Sequence, residues 1–446
     1  MKPSAAVFSL GCAKNLVDSE VMVSHLAQLG YDISSDPSEA SLILVNTCGF
    51  LESAVQEAID TILDLARYKE PGSGKKLLVA GCMVQRYGKK LLELMPEVDC
   101  FLGTDHCYDL KQILRNPEKG ISKRLWISPP RFLFHGNLSR SRSTPFFSAF
   151  VKIAEGCSNR CTYCLIPALR GPYRSRSVED VLVEVRGLAD DGVKEINLVA
   201  QDTTAFGSDR SDPGALIRLL ELLDEVPGIA WIRLLYAYPD RVNGILLRTM
   251  AQSRKILPYL DIPLQHCVPK ILKAMGRATP SEHPEDMLTR IRQLLPDVAL
   301  RTSLIVGFPG ETEADFLALA AFVEWAEFDH LGVFGFSPEA GTPAAKFPGQ
   351  RAQRTKEKRR EMLLMLQRSI SRRRLASRVG QIAPVLVEGF HPETELLLSG
   401  RLATQAPEVD GMVILTKGQA KVGDLVLAQI TAAHDYDVEA EICDST

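Results

Sequence analysis

The chain has 446 residues, too many for one ordinary domain, so two or three are expected. Its 46% hydrophobic content is that of a globular protein, and a formal net charge of −3 favours no class of partner by itself. No run reaches eighteen apolar residues and the opening "MKPSAAVFSLGCAKN" has no signal-type core or cleavage site, so a cytoplasmic protein without a membrane span is expected.

The first region, residues 3–118, alternates apolar strand-like runs with helical stretches: "AAVFSLGC" before "VDSEVMVSHLAQLG", "SLILVNTCGF" before "ESAVQEAIDTILDLARY", and "KLLVAGCM" before "GKKLLELMP". Continuous apolar strands suit a parallel sheet covered on both faces, and the alternation predicts a small doubly wound α/β domain. Cys12, Cys48 and Cys82 each end one of these strands, one per βα unit. Consecutive strand ends of a parallel sheet can converge, at the edge where α/β folds bind ligands. Gly11, Gly49 and Gly81 flank the three thiols and would let backbone approach a bulky group. Three convergent thiolates suit a 4Fe-4S cluster with one open iron; three buried core cysteines are the plainer alternative. A polar, Pro-containing stretch near 116–145 reads as a linker.

The second region, residues 143–374, holds six strand candidates, "FSAFVKIAEGC", "EINLVAQD", "WIRLLYAY", "YLDIPLQH", "LRTSLIVGFP" and "HLGVFGFS", with helical patterns between them. One helix is expected to start at a Ser177 cap with Asp180 three residues on. Six βα units predict a partial or full parallel barrel whose chemistry sits at the carboxyl ends of its strands. The first strand runs into "EGCSNRCTYC", with Cys157, Cys161 and Cys164 at a four-then-three spacing. Zinc normally takes four ligands, and a ferredoxin-type run would carry a further Cys and a Pro. Three thiolates can instead hold three irons of a 4Fe-4S cube and leave the fourth open for a cofactor. At two other strand ends lie Gln201 and Asp202, read equally as cofactor contacts or as a polar strand terminus, and "LIVGFPGET" with Gly307 and Gly310. Cys100, Cys107, Cys267 and Cys443 share no pattern and read as structural thiols, with Cys267 a candidate for the cavity because it follows His266 at a strand end.

Residues 351–374 carry ten Lys/Arg against two Glu, a basic helix expected to pack on the barrel or, alternatively, to touch RNA. The third region, 375–443, shows short β runs punctuated by Gly and Pro, the pattern of a small antiparallel barrel. From Ser377 onward, four Lys/Arg face eleven Asp/Glu, a balance of −7 that would repel a polyanion and attract a basic protein.

The C-x-x-x-C-x-x-C loop at the first strand end resembles the radical S-adenosylmethionine superfamily. There the open iron chelates the amino and carboxylate groups of S-adenosylmethionine, and one-electron reduction of the sulfonium gives a 5′-deoxyadenosyl radical. The resemblance implies that Tyr163, before the last Cys, lies near the adenine and that residues 304–312 line the nucleoside. With the second cysteine set and the C-terminal barrel, nearly the whole chain resembles the methylthiotransferase family. That implies an auxiliary 4Fe-4S cluster on Cys12, Cys48 and Cys82 and a radical-generating one on Cys157, Cys161 and Cys164. It also implies two uses of S-adenosylmethionine, a C-terminal TRAM barrel and an electron donor such as flavodoxin or ferredoxin. "RLLYAYPD", "LDIPLQH" and "IPALRGPYRSR" resemble the branch that modifies the β-carbon of an aspartate in ribosomal protein S-twelve. The branch acting on an anticodon-adjacent adenosine of transfer RNA is the alternative, and a non-catalytic iron–sulfur RNA-binding module a remote one. "SPEAGTPAA" departs from the first branch, which usually has a second Glu before Ala340-Gly341, and in that branch the basic 351–374 helix could alternatively touch ribosomal RNA. Arg233, Tyr236 and His266 are candidates for binding the target acid.

Overall fold

The computed structural model describes residues 2–70, 72–116, 120–277 and 282–443; the first expected boundary, at residue 118, lies outside them. Six parallel strands form the N-terminal sheet: β1 (Ser4–Ser9), β2 (Asp32–Ile33), β3 (Leu42–Thr47), β4 (Lys76–Gly81), β5 (Cys100–Leu102) and β6 (Leu125–Trp126). Their order is β2-β1-β3-β4-β5-β6, which reverses direction between β1 and β3. Helix α1 (Ala13–Gln28) packs Met22 and Leu26 on one face of the sheet. Helix α2 (Glu52–Ala66) packs Val55, Ala58, Ile62 and Leu65 on the other. The sheet is therefore doubly wound, and its apolar strands have no solvent face to alternate toward. A third helix, α3 (Cys82–Tyr87), starts directly at the end of β4.

The stretch expected to be a linker is partly built into the fold. Leu125–Trp126 pairs with β5 as the sixth strand, Phe134 is fully buried, and Arg140 lies between Glu20 and Glu184. A two-residue strand is too short to leave a periodic signal.

The second sheet holds β7 (Ser148–Lys152), β10 (Glu195–Val199), β11 (Trp231–Leu234), β12 (Ile256–Asp261), β13 (Ala299–Val306) and β14 (His330–Gly335). All pairs are parallel, in the order β14-β13-β12-β11-β10-β7, and the sheet does not close, so this is a partial barrel. Between β7 and β10 lie β8 (Ala154–Glu155) and β9 (Arg174–Ser175), a short antiparallel pair framing the cysteine loop. The short helix α4 (Ile166–Arg170) follows that loop, and α5 (Val178–Asp190) starts at a Ser177 cap that accepts from the Asp180 N–H.

The basic helix, α6 (Gln353–Ala376), lies against the partial barrel with Leu363 and Ile370 in its core. Much of its charge is used inside the molecule: Lys356 donates to the Phe336 carbonyl, Arg359 pairs with Glu311 and Glu313, and Arg374 pairs with Asp329.

The C-terminal barrel is closed by β15 (Ile382–His391), β16 (Thr394–Leu402), β17 (Val413–Lys417), β18 (Leu425–Ala433) and β19 (Val438–Ile442), in the order β15-β16-β17-β19-β18. It is antiparallel except for the parallel β17–β19 pair, a departure from the all-antiparallel expectation that lets five strands close. It is attached to the partial barrel through buried charge. Glu195 accepts two bonds from Arg401 and one from Arg233, and Arg233 also donates to the Ala403 carbonyl. Arg233, a candidate for binding the target acid, is thus a fully buried docking residue at this junction. Among the described residues, no helix is long and apolar enough to cross a membrane.

Candidate active site

Cys12, Cys48 and Cys82 follow β1, β3 and β4, three neighbouring strands that flank the point where the strand order reverses. Parallel sheets leave a crevice there. Asn15 ties the strand ends together, donating to the carbonyls of Leu10 and Thr47, while Asn46 donates to the carbonyl of Asn15. The glycines make this convergence possible. A Cβ on Gly11 would lie 2.9 Å from Cys48 Cβ, and one on Gly49 would lie 2.6 Å from the Cys82 backbone. Gly81 has φ +100°, and a Cβ there would lie 2.4 Å from Asn46 Oδ1. Burial pushes the Cys82 thiol up to about 11, opposed first by the Arg170 charge. At Cys12 burial also acts upward, but the Lys14 charge and nearby backbone N–H groups leave the thiol below its ordinary value.

Cys157, Cys161 and Cys164 sit on the loop between β8 and α4. Its fold is held from outside: the Cys157 N–H donates to the Gly171 carbonyl at 3.0 Å, Thr162 N–H to the Met275 carbonyl at 2.8 Å, and Asn159 to the Asp202 carboxylate at 3.0 Å. Asp202 is buried; it also accepts from Arg241 and caps the turn at Ala205. It therefore works beneath the loop. Gln201, its neighbour, opens into the cavity and donates to Glu155 at 2.9 Å.

That cavity, about 490 Å³, brings one thiol of the first set together with all of the second. Cys12 from the N-terminal domain and Cys157, Cys161 and Cys164 from the partial barrel all line it. Tyr163 lines it as well, its hydroxyl accepting from Arg277 at 3.1 Å. So do Tyr236 and Gln265, whose φ values of +60° and +71° are unusual for residues with side chains. Such backbone strain persists only where surrounding structure holds it. Here the Asp261 carboxylate accepts the Tyr236 N–H, Lys14 lies 3.4 Å from the Tyr236 ring centroid, and Gln265 is bridged on both sides to β13.

Other expected residues lie away from the cavity. Gly307 and Gly310 shape the turn after β13 with φ +71° and +85°, while Ser303 and Ile305 from β13 line the cavity. His266 is fully buried in a neighbouring pocket with Arg277 and Asp240, and its Nδ1 accepts the Val268 N–H. Burial lowers it to about 4, so it is neutral near pH 7. Cys267 is packed in the apolar core, not in the cavity, and burial pushes its thiol to about 12.

Sequence reading missed the residues that join the domains. Glu339 lines the cavity, pairs with Arg86 of α3 at 2.7 Å and accepts the Glu52 N–H at the start of α2. Arg86 in turn donates to the Gly49 carbonyl beside Cys48. Lys152, Glu155 and Arg170 meet Asp18 of α1 in a fully buried cluster, joined by the Tyr108 hydroxyl. A signal was available for three of them: Glu155 immediately precedes the cysteine loop, Arg170 lies in "IPALRGPYRSR", and Glu339 lies in "SPEAGTPAA".

Among the described residues no three His, Cys, Asp or Glu side chains are grouped closely enough for a single metal ion. The donor chemistry is instead two sets of three thiols, one on a single loop and one on three neighbouring strand ends brought close by glycines, which suits a cube-shaped cluster held at three corners. A doubly wound sheet joined to a partial parallel barrel, with a C-x-x-x-C-x-x-C loop at the barrel's catalytic end, defines a radical S-adenosylmethionine enzyme.

Comparison with known proteins sharpens that class. Residues 4–103 match the model of the uncharacterized protein family UPF0004, 151–323 the radical SAM superfamily, and 379–443 the TRAM domain. A protein of Syntrophobacter fumaroxidans named ribosomal protein uS12 methylthiotransferase RimO is 62% identical over 442 residues, covering 98% of each chain. Its namesake in Geobacter sulfurreducens is 47% identical, covering 99% of each. Among solved structures, the radical S-adenosylmethionine methyltransferase TsrM of Kitasatospora setae, with cobalamin and a [4Fe-4S] cluster bound, superposes with a TM-score of 0.55 at 14% identity over 77% of each chain, a likeness of fold. The chain belongs to the RimO family of radical SAM methylthiotransferases.

Proposed function

We propose that this transferase inserts a methylthio group at the β-carbon of an aspartate in ribosomal protein uS12, with two 4Fe-4S clusters and two molecules of S-adenosylmethionine. The observation that carries this reading is the shared cavity, in which Cys12 and the three-cysteine loop face one space. The names of the full-length relatives supply the substrate.

In this reading the three units, residues 3–118, 143–374 and 375–443, divide the work. Cys12, Cys48 and Cys82 hold the auxiliary cluster, and Cys157, Cys161 and Cys164 hold the radical-generating one. Bound there, the clusters and cofactor supply the transferable sulfur and methyl group and the hydrogen-abstracting radical. The protein's own residues orient and enclose. Tyr163 and Gln201 would border the bound cofactor, Asp202 keeps the cysteine loop in shape through Asn159, and Gly307 and Gly310 turn the chain after the strand that carries Ser303 and Ile305 to the cavity. Tyr236, fixed by its strained backbone, presents one wall to the target side chain. The acidic C-terminal barrel favours a basic protein partner over RNA. A low-potential donor such as flavodoxin or ferredoxin supplies electrons, and the reaction belongs to the cytoplasm, where the ribosome is.

The test is anaerobic. The reconstituted enzyme, with S-adenosylmethionine and reductant, is offered uS12 and anticodon-loop RNA in parallel, and both are weighed by mass spectrometry. A methylthio increment on an aspartate of uS12 is expected. The same increment on the RNA adenosine instead would overturn the substrate assignment and leave the chemistry standing.

A further inference from the structure

Arg170 occupies a singular position between the two triads. It is the last residue of α4, and the next residue, Gly171, accepts the Cys157 N–H at 3.0 Å. Its backbone is thus tied to the radical-side loop. Its side chain points the other way, into the N-terminal domain, where Nε donates to Cys82 Sγ at 3.2 Å.

The rest of the guanidinium is fixed. Nη1 pairs with Asp18 at 2.7 Å and approaches Glu155 at 3.5 Å, and Nη2 donates to Asn15 Oδ1. Asp18 and Asn15 belong to α1, whose N-terminal cap is Cys12, while Glu155 ends β8 just before the cysteine loop. Glu155 also accepts from Lys152 at 2.9 Å and from Gln201 at 2.9 Å, and Gln201 reaches the cavity. Arg170, Asp18, Glu155 and Lys152 are all at most 5% exposed. Two carboxylates and two cations balance within this cluster, so the guanidinium is free to direct one N–H at the thiol without an unpaired charge.

Only arginine fits this role. A planar fork with donors on three nitrogens can face a thiol, a carboxylate and an amide at once, and it stays charged. Hydrogen bonds to cluster sulfurs raise reduction potentials because they favour the more negative reduced state. Groups that hold a ligand in place also tune the metal.

We propose that Arg170 is a positioning residue that orients Cys82 and raises the reduction potential of the auxiliary cluster, linking its geometry to the radical-side loop. This rests on the two-cluster reading above.

The experiment separates the two. In a full-length chain carrying Cys157→Ala, Cys161→Ala and Cys164→Ala, any remaining cluster is the auxiliary one. Its midpoint potential is read by EPR-monitored redox titration, alone and with Arg170→Gln or Arg170→Lys added. One reconstituted cluster per chain is expected, with its midpoint shifted negative in R170Q and by a smaller amount in R170K. Lysine retains the charge but not the fork, so R170K reports even if R170Q does not hold iron. A midpoint unchanged from the parent in either iron-loaded variant overturns the role of Arg170. Absence of iron from the triple-alanine parent overturns the two-cluster reading, and this inference with it.

Discussion

The two cysteine sets come to border one cavity by opposite routes, the first through Cys12 and the second through all three of its thiols. Cys157, Cys161 and Cys164 lie on one loop, and their spacing is a local property of consecutive residues. Cys12, Cys48 and Cys82 are brought together only because β1, β3 and β4 are neighbours in register and three glycines remove the atoms that would hold them apart. A loop motif tolerates movement of its surroundings as long as its ends are anchored. A motif assembled from strand ends fails when any one strand shifts. The set of Cys12, Cys48 and Cys82 should therefore be the more fragile of the two.

Four substitutions break or sharpen that contrast. Cys157→Ala should have the largest effect, reducing reductant-dependent 5′-deoxyadenosine formation, followed by liquid chromatography, to background. Cys48→Ala should leave that cleavage in place, remove the methylthio product and roughly halve the iron and sulfide content, as measured by elemental analysis; normal product from it would sink the auxiliary assignment. Gly49→Ala adds one methyl group 2.6 Å from the Cys82 backbone. Overpacking of this kind costs about 1–3 kcal/mol. It should lower auxiliary iron selectively while the radical-side EPR signal survives. Equal loss from both sites would mean that the triads do not differ in fragility.

The smallest effect concerns the junction with the C-terminal barrel. Burial alone would raise the Glu195 carboxyl, but Arg401 and Arg233 hold it down at about 2, against an ordinary 4.5. A depressed carboxylate stabilises the fold above its unfolded pKa, and that contribution is lost as pH falls through the folded value. For the apoprotein, chemical denaturation should show about 3 kcal/mol from this group disappearing between pH 4.5 and 2. Glu195→Gln should flatten that part of the profile. An unchanged profile would mean that the buried pair carries no pH-dependent stability.

Much of the molecule was legible in the chain. Apolar strands alternating with helices gave both parallel sheets, because fully covered strands must be apolar on both sides. The three-cysteine loop was legible because its geometry is set within eight residues, and the Ser177 cap because its partner is three residues away. The convergence of Cys12, Cys48 and Cys82 was legible only indirectly, through the recurrence of a cysteine at each strand end. The sixth strand, two residues long, left no period, and the supposed linker that contains it is partly buried.

What tertiary structure alone decided is which polar residues serve the cavity and which hold the domains together. Arg233 and Gln201 both belong to β-strand regions of the same barrel. Yet one is locked at the C-terminal barrel by Glu195 and the other opens into the cavity lined by Cys12 and the three-cysteine loop. Nothing local separates them, since a buried charge is defined by partners far along the chain. Arg170 meets Cys82 and Asp18 from positions 88 and 152 residues away. Spacing set the three-cysteine loop, whereas the packing of one sheet edge against a partial barrel decided that Cys12 would face the same space as that loop.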